Sequence, residues 1–195
     1  MKFKSYITES INDPVEISYL IKRDCEPYLK QLNGSNFSGY SLLRSGRQDS
    51  GYFKKMSIRV DRKPRDTPID IHNWLDEWFY KKFGIKARSN TMFCTSSISL
   101  AGRYGSAIYY IFPMGNFEII WSDIVNDMYT PVMNRGLDAY ITYFLDHYGK
   151  KYKKGDLQGA LKSKSEIMLH CKEYYILDDD GYNTEIILKA ISESK

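Results

Sequence analysis

The stretch TMFCTSSISLAGRYGSAIYYIFPMGNFEIIW (residues 91–121) decides the fold. It holds three short runs rich in β-branched and aromatic residues: Thr91–Thr95, Ala107–Phe112 and Phe117–Trp121. Each is too short for a stable helix and reads as a strand. Pro113-Met114-Gly115 joins the second run to the third through a tight turn, and Ser97 to Arg103 leaves room for only one or two helical turns. Strands that follow one another this closely leave no room for the crossover helices of alternating βαβ units.

Working outward, Val15, Ile17, Leu20, Ile21, Cys25, Tyr28, Leu29 and Leu32 keep near-helical spacing and predict one helix over 15–32. Asn12-Asp13-Pro14 starts it and Asn33-Gly34-Ser35-Asn36 ends it. Strands are expected at Tyr40–Arg44 and Tyr52–Val60, then a loop with two prolines from Asp61 to Pro68. An amphipathic helix, Ile69 to Phe83, follows and closes at Gly84. Beyond Trp121, residues 135–149 read as a helix with Leu137, Tyr140, Ile141 and Phe144 on one face, and Gly149 to Lys164 as a lysine-rich loop. Glu166–Cys171 reads as a strong strand, and Tyr174–Leu177 is expected to pair with a last strand at Glu185–Leu188. The pattern is α+β rather than alternating βαβ.

With 195 residues, 43% apolar or aromatic, the chain suits a single domain and excludes a disordered or collagen-like one. No run is long enough to span a membrane as a helix, and no apolar segment follows the charged start as a secretory signal requires. The net charge of +4 is unevenly spread. Arg44, Arg47, Lys54, Lys55, Arg59, Arg62, Lys63 and Arg65 face only Asp49 and Asp61 between residues 44 and 65. Such a stretch either holds phosphates of a nucleotide or nucleic acid, with Arg59, Arg62 and Arg65 as contacts, or is a solvated strand pair. Cys25, Cys94 and Cys171 have no C-x-x-C spacing and read as reduced, buried thiols of an intracellular protein. His72, His147 and His170 fall in three elements, so no zinc site is expected.

Three distant pieces could serve one cleft. Arg44 ends the apolar run Leu42-Leu43 before Ser45-Gly46; Thr95-Ser96-Ser97 ends the strand through Phe93-Cys94; and Glu166 opens Ile167-Met168-Leu169. By themselves they also read as a turn, a helix cap and a solvated charge. Together they resemble the ADP-ribosyltransferase superfamily in its arginine–serine–glutamate branch: an arginine at a strand end, an aromatic-x-Ser-Thr-Ser motif and a glutamate at the start of a late strand. Phe93 to Gly105, ending Ala101-Gly102-Arg103-Tyr104-Gly105, is also similar to poly-ADP-ribose-polymerase-like relatives.

The resemblance implies a split β-sandwich with flanking helices over residues 11–195, with NAD as co-substrate in a cleft between two small sheets. Glu166 and Ser96 are then the catalytic candidates, and Arg44, Thr95, Ser97 and Tyr104 the NAD contacts. Cleavage of the nicotinamide–ribose bond passes through an oxocarbenium-like state, which a carboxylate at Glu166 stabilises. Arg44 suits the phosphates, small hydroxyls the ribose, and Tyr104 the nicotinamide ring. Arginine-modifying members carry Glu or Gln two residues before the catalytic glutamate; here that residue is Lys164, which argues against an arginine acceptor.

The opening Met1 to Glu9 resembles the start of many proteins of large tailed bacteriophages, and Ile7-Thr8-Glu9 the sequence that their prohead proteases cut. On that resemblance residues 1–10 are a leader, the protein travels in the virion into the host cytoplasm, and its acceptor is a host protein or nucleic acid. Two rival expectations stand beside the enzyme: a non-enzymatic nucleic-acid binder that uses the basic stretch, and a phage protein that occupies a host factor.

Overall fold

Asp13 accepts a hydrogen bond from the Val15 amide at 3.0 Å and Pro14 fills the first turn, so α1 (Pro14–Asp24) starts where its sequence signal lies. The computed structural model describes residues 12–32, 37, 40–47, 52–64, 66–125, 131–179 and 181–193. The single helix expected over 15–32 is two, α1 and α2 (Glu26–Leu32), broken at Cys25. Pro27 explains the break: it has no amide to donate and its ring clashes with the carbonyl four residues back. The Cys25 thiol is buried and points at the Phe112 carbonyl, 3.5 Å away.

Two four-stranded antiparallel sheets form the centre of the α+β fold. The first contains β1 (Leu43–Gly46), β2 (Phe53–Ser57), β4 (Ala107–Pro113) and β8 (Glu173–Asp178) in the order β1-β4-β8-β2. The second contains β3 (Met92–Cys94), β5 (Phe117–Trp121), β6 (Lys153–Lys154) and β7 (Ile167–Cys171) in the order β3-β7-β5-β6. The chain passes from one sheet to the other within three residues between β4 and β5, and within Lys172 between β7 and β8. A third junction is the pair Leu43 and Thr95, whose amides and carbonyls exchange hydrogen bonds at 2.7 and 2.9 Å.

The second sheet is apolar on both faces. Ile119, Trp121, Ile167 and Leu169 join one core with α1, while the intervening Ile120 and Met168 join another beneath α3 (Ile69–Phe83) and α5 (Leu137–His147). That alternation is the period-two side-chain order of a strand buried on both sides. α3 contributes Ile71, Leu75 and Phe79 at four-residue spacing, each fully buried and each stabilising by about 1.5–3 kcal/mol. Gly84 closes α3 at φ 77°, a left-handed cap that favours glycine.

Two further expectations need correction. Glu185–Leu188 is not a strand but part of α7 (Tyr182–Ser192). Thr184, Ile187 and Ile191 bury on one helical face, and both edges of β8 are already taken by β2 and β4. The lysine-rich segment 149–164 is not all loop: it carries β6 and α6 (Leu157–Ser163), which buries Leu157, Ala160 and Leu161. The short helix α4 (Ile98–Ala101) lies where one or two turns were expected. The leader at residues 1–10 lies outside the described residues.

Candidate functional site

Arg44 sits in β1 opposite Tyr109 of β4, and its Nη1 donates to the Phe93 carbonyl at 3.3 Å. Glycine makes this placement feasible from the other side. A Cβ at Gly105 would lie 2.7 Å from the Gly46 carbonyl oxygen and 3.0 Å from the Ser45 Cβ, so only glycine lets the turn after α4 press against β1. Thr95 directly follows β3 at the junction of the sheets; its hydroxyl donates to the Lys164 carbonyl at 3.2 Å and accepts from the Ser97 amide. Glu166 directly precedes β7, whose Ile167 pairs with Cys94.

These elements enclose a cleft of about 810 Å³, within the range of small-molecule sites. Arg44, Thr95, Tyr104 and Glu166 line it together with Arg62, Arg88 and Phe93. Four of the six residues singled out from the sequence thus meet in one place. Tyr104 stands at the rim, 66% exposed. Ser96 turns elsewhere: it is 4% exposed, its hydroxyl donates to the Leu161 carbonyl, and it borders a separate cavity of about 450 Å³ beside α7. Ser97 caps α4 by accepting from the Leu100 amide at 3.2 Å.

The basic stretch divides. Arg44 and Arg62 face the cleft, Lys55 pairs with Glu173 at 2.9 Å, and Arg59 pairs with Asp61 on the surface. Arg65 lies outside the described residues. Arg62 lies over the Phe93 ring at 4.2 Å, and Arg88 lies over the same ring at 4.8 Å. Burial, then repulsion from Arg44 and Arg88, pulls the Arg62 pKa down to about 10, with Glu166 opposing.

Arg88 owes its position to α3. Asp76, 5% exposed, accepts the Arg88 and Ser89 amides on Oδ1 at 2.7 and 3.1 Å and the Ser89 hydroxyl on Oδ2. His72, one turn earlier and 4% exposed, places Nε2 3.1 Å from the same hydroxyl and also lines the cleft. Burial holds the His72 pKa below its ordinary value, against the pull of Asp76. Reading the sequence missed Arg88, His72 and Asp76. The four-residue spacing of His72 and Asp76 on a helix was the available signal, but nothing local said that this face meets residues 88–89. Beneath the cleft, the buried Tyr140 and Tyr152 hydroxyls have no hydrogen-bond partner among the described residues and feel both Glu166 and Arg88.

No protein-family model matches the chain, and no curated protein or solved structure matches it either.

Proposed function

We propose that the cleft binds NAD and that the protein cleaves its nicotinamide–ribose bond, passing ADP-ribose to an acceptor or to water. One observation carries the reading: Arg44 in β1, Thr95 just after β3 and Glu166 just before β7, distant in sequence, line one cleft where the two sheets meet. The arginine and glutamate of the arginine–serine–glutamate resemblance thus share one cleft, while the expected Ser96 lies outside it and Thr95 lines the cleft.

In this reading the glycosidic electron pair leaves with the nicotinamide nitrogen and neutralises its ring. The ribose is left as an oxocarbenium-like cation, which the Glu166 carboxylate stabilises at close range. A nucleophile then adds to that carbon and gives up its proton. Arg44 holds a phosphate oxygen, its orientation set by the Phe93 carbonyl. Thr95, rather than Ser96, lines the cleft, and the bond from its hydroxyl to the Lys164 carbonyl ties it to the turn before Glu166. Lys164 itself is exposed and takes a left-handed backbone at φ 57°. With no carboxylate or amide there, the acceptor is a group other than arginine, on a protein or a nucleic acid. The rival reading, a non-enzymatic nucleic-acid binder, has less behind it, because the basic stretch splits between cleft and surface pairs instead of forming one face.

Incubation with NAD should release nicotinamide, and Glu166→Gln should slow that release by roughly a hundredfold while NAD still binds, since the carboxylate acts mainly in the transition state. A wild-type protein that neither binds nor cleaves NAD, or a Glu166→Gln variant as active as wild type, would refute the reading.

A further inference from the structure

Arg62 leaves hydrogen-bonding capacity unused. Its Nη1 is buried and has no hydrogen-bond partner among the described residues, although the side chain lines an open cleft. A second guanidinium, Arg88, lies over the same Phe93 ring, and a third, Arg44, reaches the Phe93 carbonyl. Three guanidiniums around one ring repel one another, and an anion shared among them relieves that repulsion.

The cluster is also held in place. Asp76 fixes the backbone at Arg88 and Ser89, and the Arg62 amide donates to the Ser89 carbonyl at 3.3 Å, so the two segments carrying the guanidiniums are tied together. Among the described residues lining the cleft, Arg44, Arg62, Lys63 and Arg88 stand against Asp66 and Glu166, an excess of two positive charges.

We propose that Arg62 and Arg88, with Arg44, form an oxyanion site around Phe93 for a phosphoryl group carrying two negative charges, as a diphosphate or a phosphate monoester. Guanidinium forks match phosphate oxygens bidentately, and a dianion answers the charge excess that a single carboxylate would leave half neutralised. The inference deepens the NAD reading, whose cleft it shares, by naming the feature that selects the substrate. It does not depend on the cleavage chemistry.

The test is calorimetric titration of the full chain with inorganic pyrophosphate, NAD and 2′-phosphorylated NAD at fixed salt. Wild type is compared with Arg62→Gln, Arg62→Lys and, as a charge-matched control in α2 outside the cleft lining, Lys30→Gln. Arg62→Gln should weaken pyrophosphate by roughly tenfold, the worth of one charge-assisted hydrogen bond. Arg62→Lys should fall in between, and Lys30→Gln should match wild type. The melting temperature without ligand should hold or rise in Arg62→Gln, because one of three crowded cations is gone, while the gain on adding pyrophosphate shrinks.

Equal losses on both dinucleotides assign the site to the diphosphate; a loss confined to the 2′-phosphorylated form assigns it to the monoester. Wild type failing to bind pyrophosphate, or Arg62→Gln binding it as tightly as wild type, overturns the proposal. Pyrophosphate binding that depends on Arg62, in a protein that never releases nicotinamide, keeps this inference and ends the cleavage reading. Nicotinamide release, with pyrophosphate and NAD affinities unchanged in Arg62→Gln, does the reverse.

Discussion

His72 shows how one buried side chain links stability to the cleft. Its imidazole is 4% exposed, and Nδ1 has no hydrogen-bond partner among the described residues, while Nε2 meets the Ser89 hydroxyl that Asp76 also holds. Burial makes the protonated ring costly, and Asp76 at 3.6 Å only partly offsets that cost. The folded pKa is therefore below the ordinary 6.5, and below that pH the unfolded chain takes up a proton that the folded chain resists. The His72 contribution to stability is complete above 6.5 and is lost as pH falls from there to the folded pKa. Denaturant midpoints measured from about pH 8 down to about pH 5 should drop in this window, and His72→Gln should flatten the drop. An unchanged profile in the variant would remove His72 from this role.

Among the elements, β1 is the one on which the cleft depends. It is four residues long, it pairs with β4 on one side, and Leu43 also reaches across to Thr95. Gly105 sits against its end, with Arg44 two residues before Gly46. Gly105→Ala would drive a methyl into the Gly46 carbonyl and should cost about 1–3 kcal/mol in chemical denaturation, the usual size of overpacking. On the proposed reading of the cleft, NAD affinity should fall with it, because the displaced strand carries Arg44. Gly102→Ala, where the nearest atom is 3.4 Å away and φ is negative, should stay within about 0.5 kcal/mol of wild type. The same scale shows what local pattern can tell. Ile69–Phe83 was legible as a helix, with its closing glycine, because its apolar positions recur at helical spacing. Glu185–Leu188 was not, because four apolar-rich residues fit either a strand or a helix until it is known that β8 has no free edge.

For the molecule as a whole, the core that α1 shares with both sheets buries all three thiols. Cys25, Cys94 and Cys171 are free and buried, as their sequence spacing suggested, and burial pushes Cys94 and Cys171 up to about 12. The thiolate is the reactive form, so a thiol reagent at about pH 8 should leave the native protein unlabelled. All three should then label together as denaturant unfolds the chain. Fast labelling of one cysteine in native buffer would reveal a local opening instead.

By itself the sequence determined the α+β class, the strands of residues 91–121, the helix over 69–83 and the residue types offered to a cleft. These follow from short-range periodicity, turn chemistry and side-chain chemistry, which neighbouring residues decide among themselves. Only the tertiary structure decided which of those residues meet. Thr95 and Ser96 are neighbours just past the end of β3, yet one lines the cleft while the hydroxyl of the other goes to the Leu161 carbonyl, a separation set by the Leu43–Thr95 junction and by α6. Arg62 and Arg88 belong to different segments and come together only because Phe93 and the Asp76-anchored backbone hold them. The convergence of Arg44 with Glu166 rests on the Leu43–Thr95 junction and the β3–β7 pairing, long-range hydrogen bonds that no local pattern encodes.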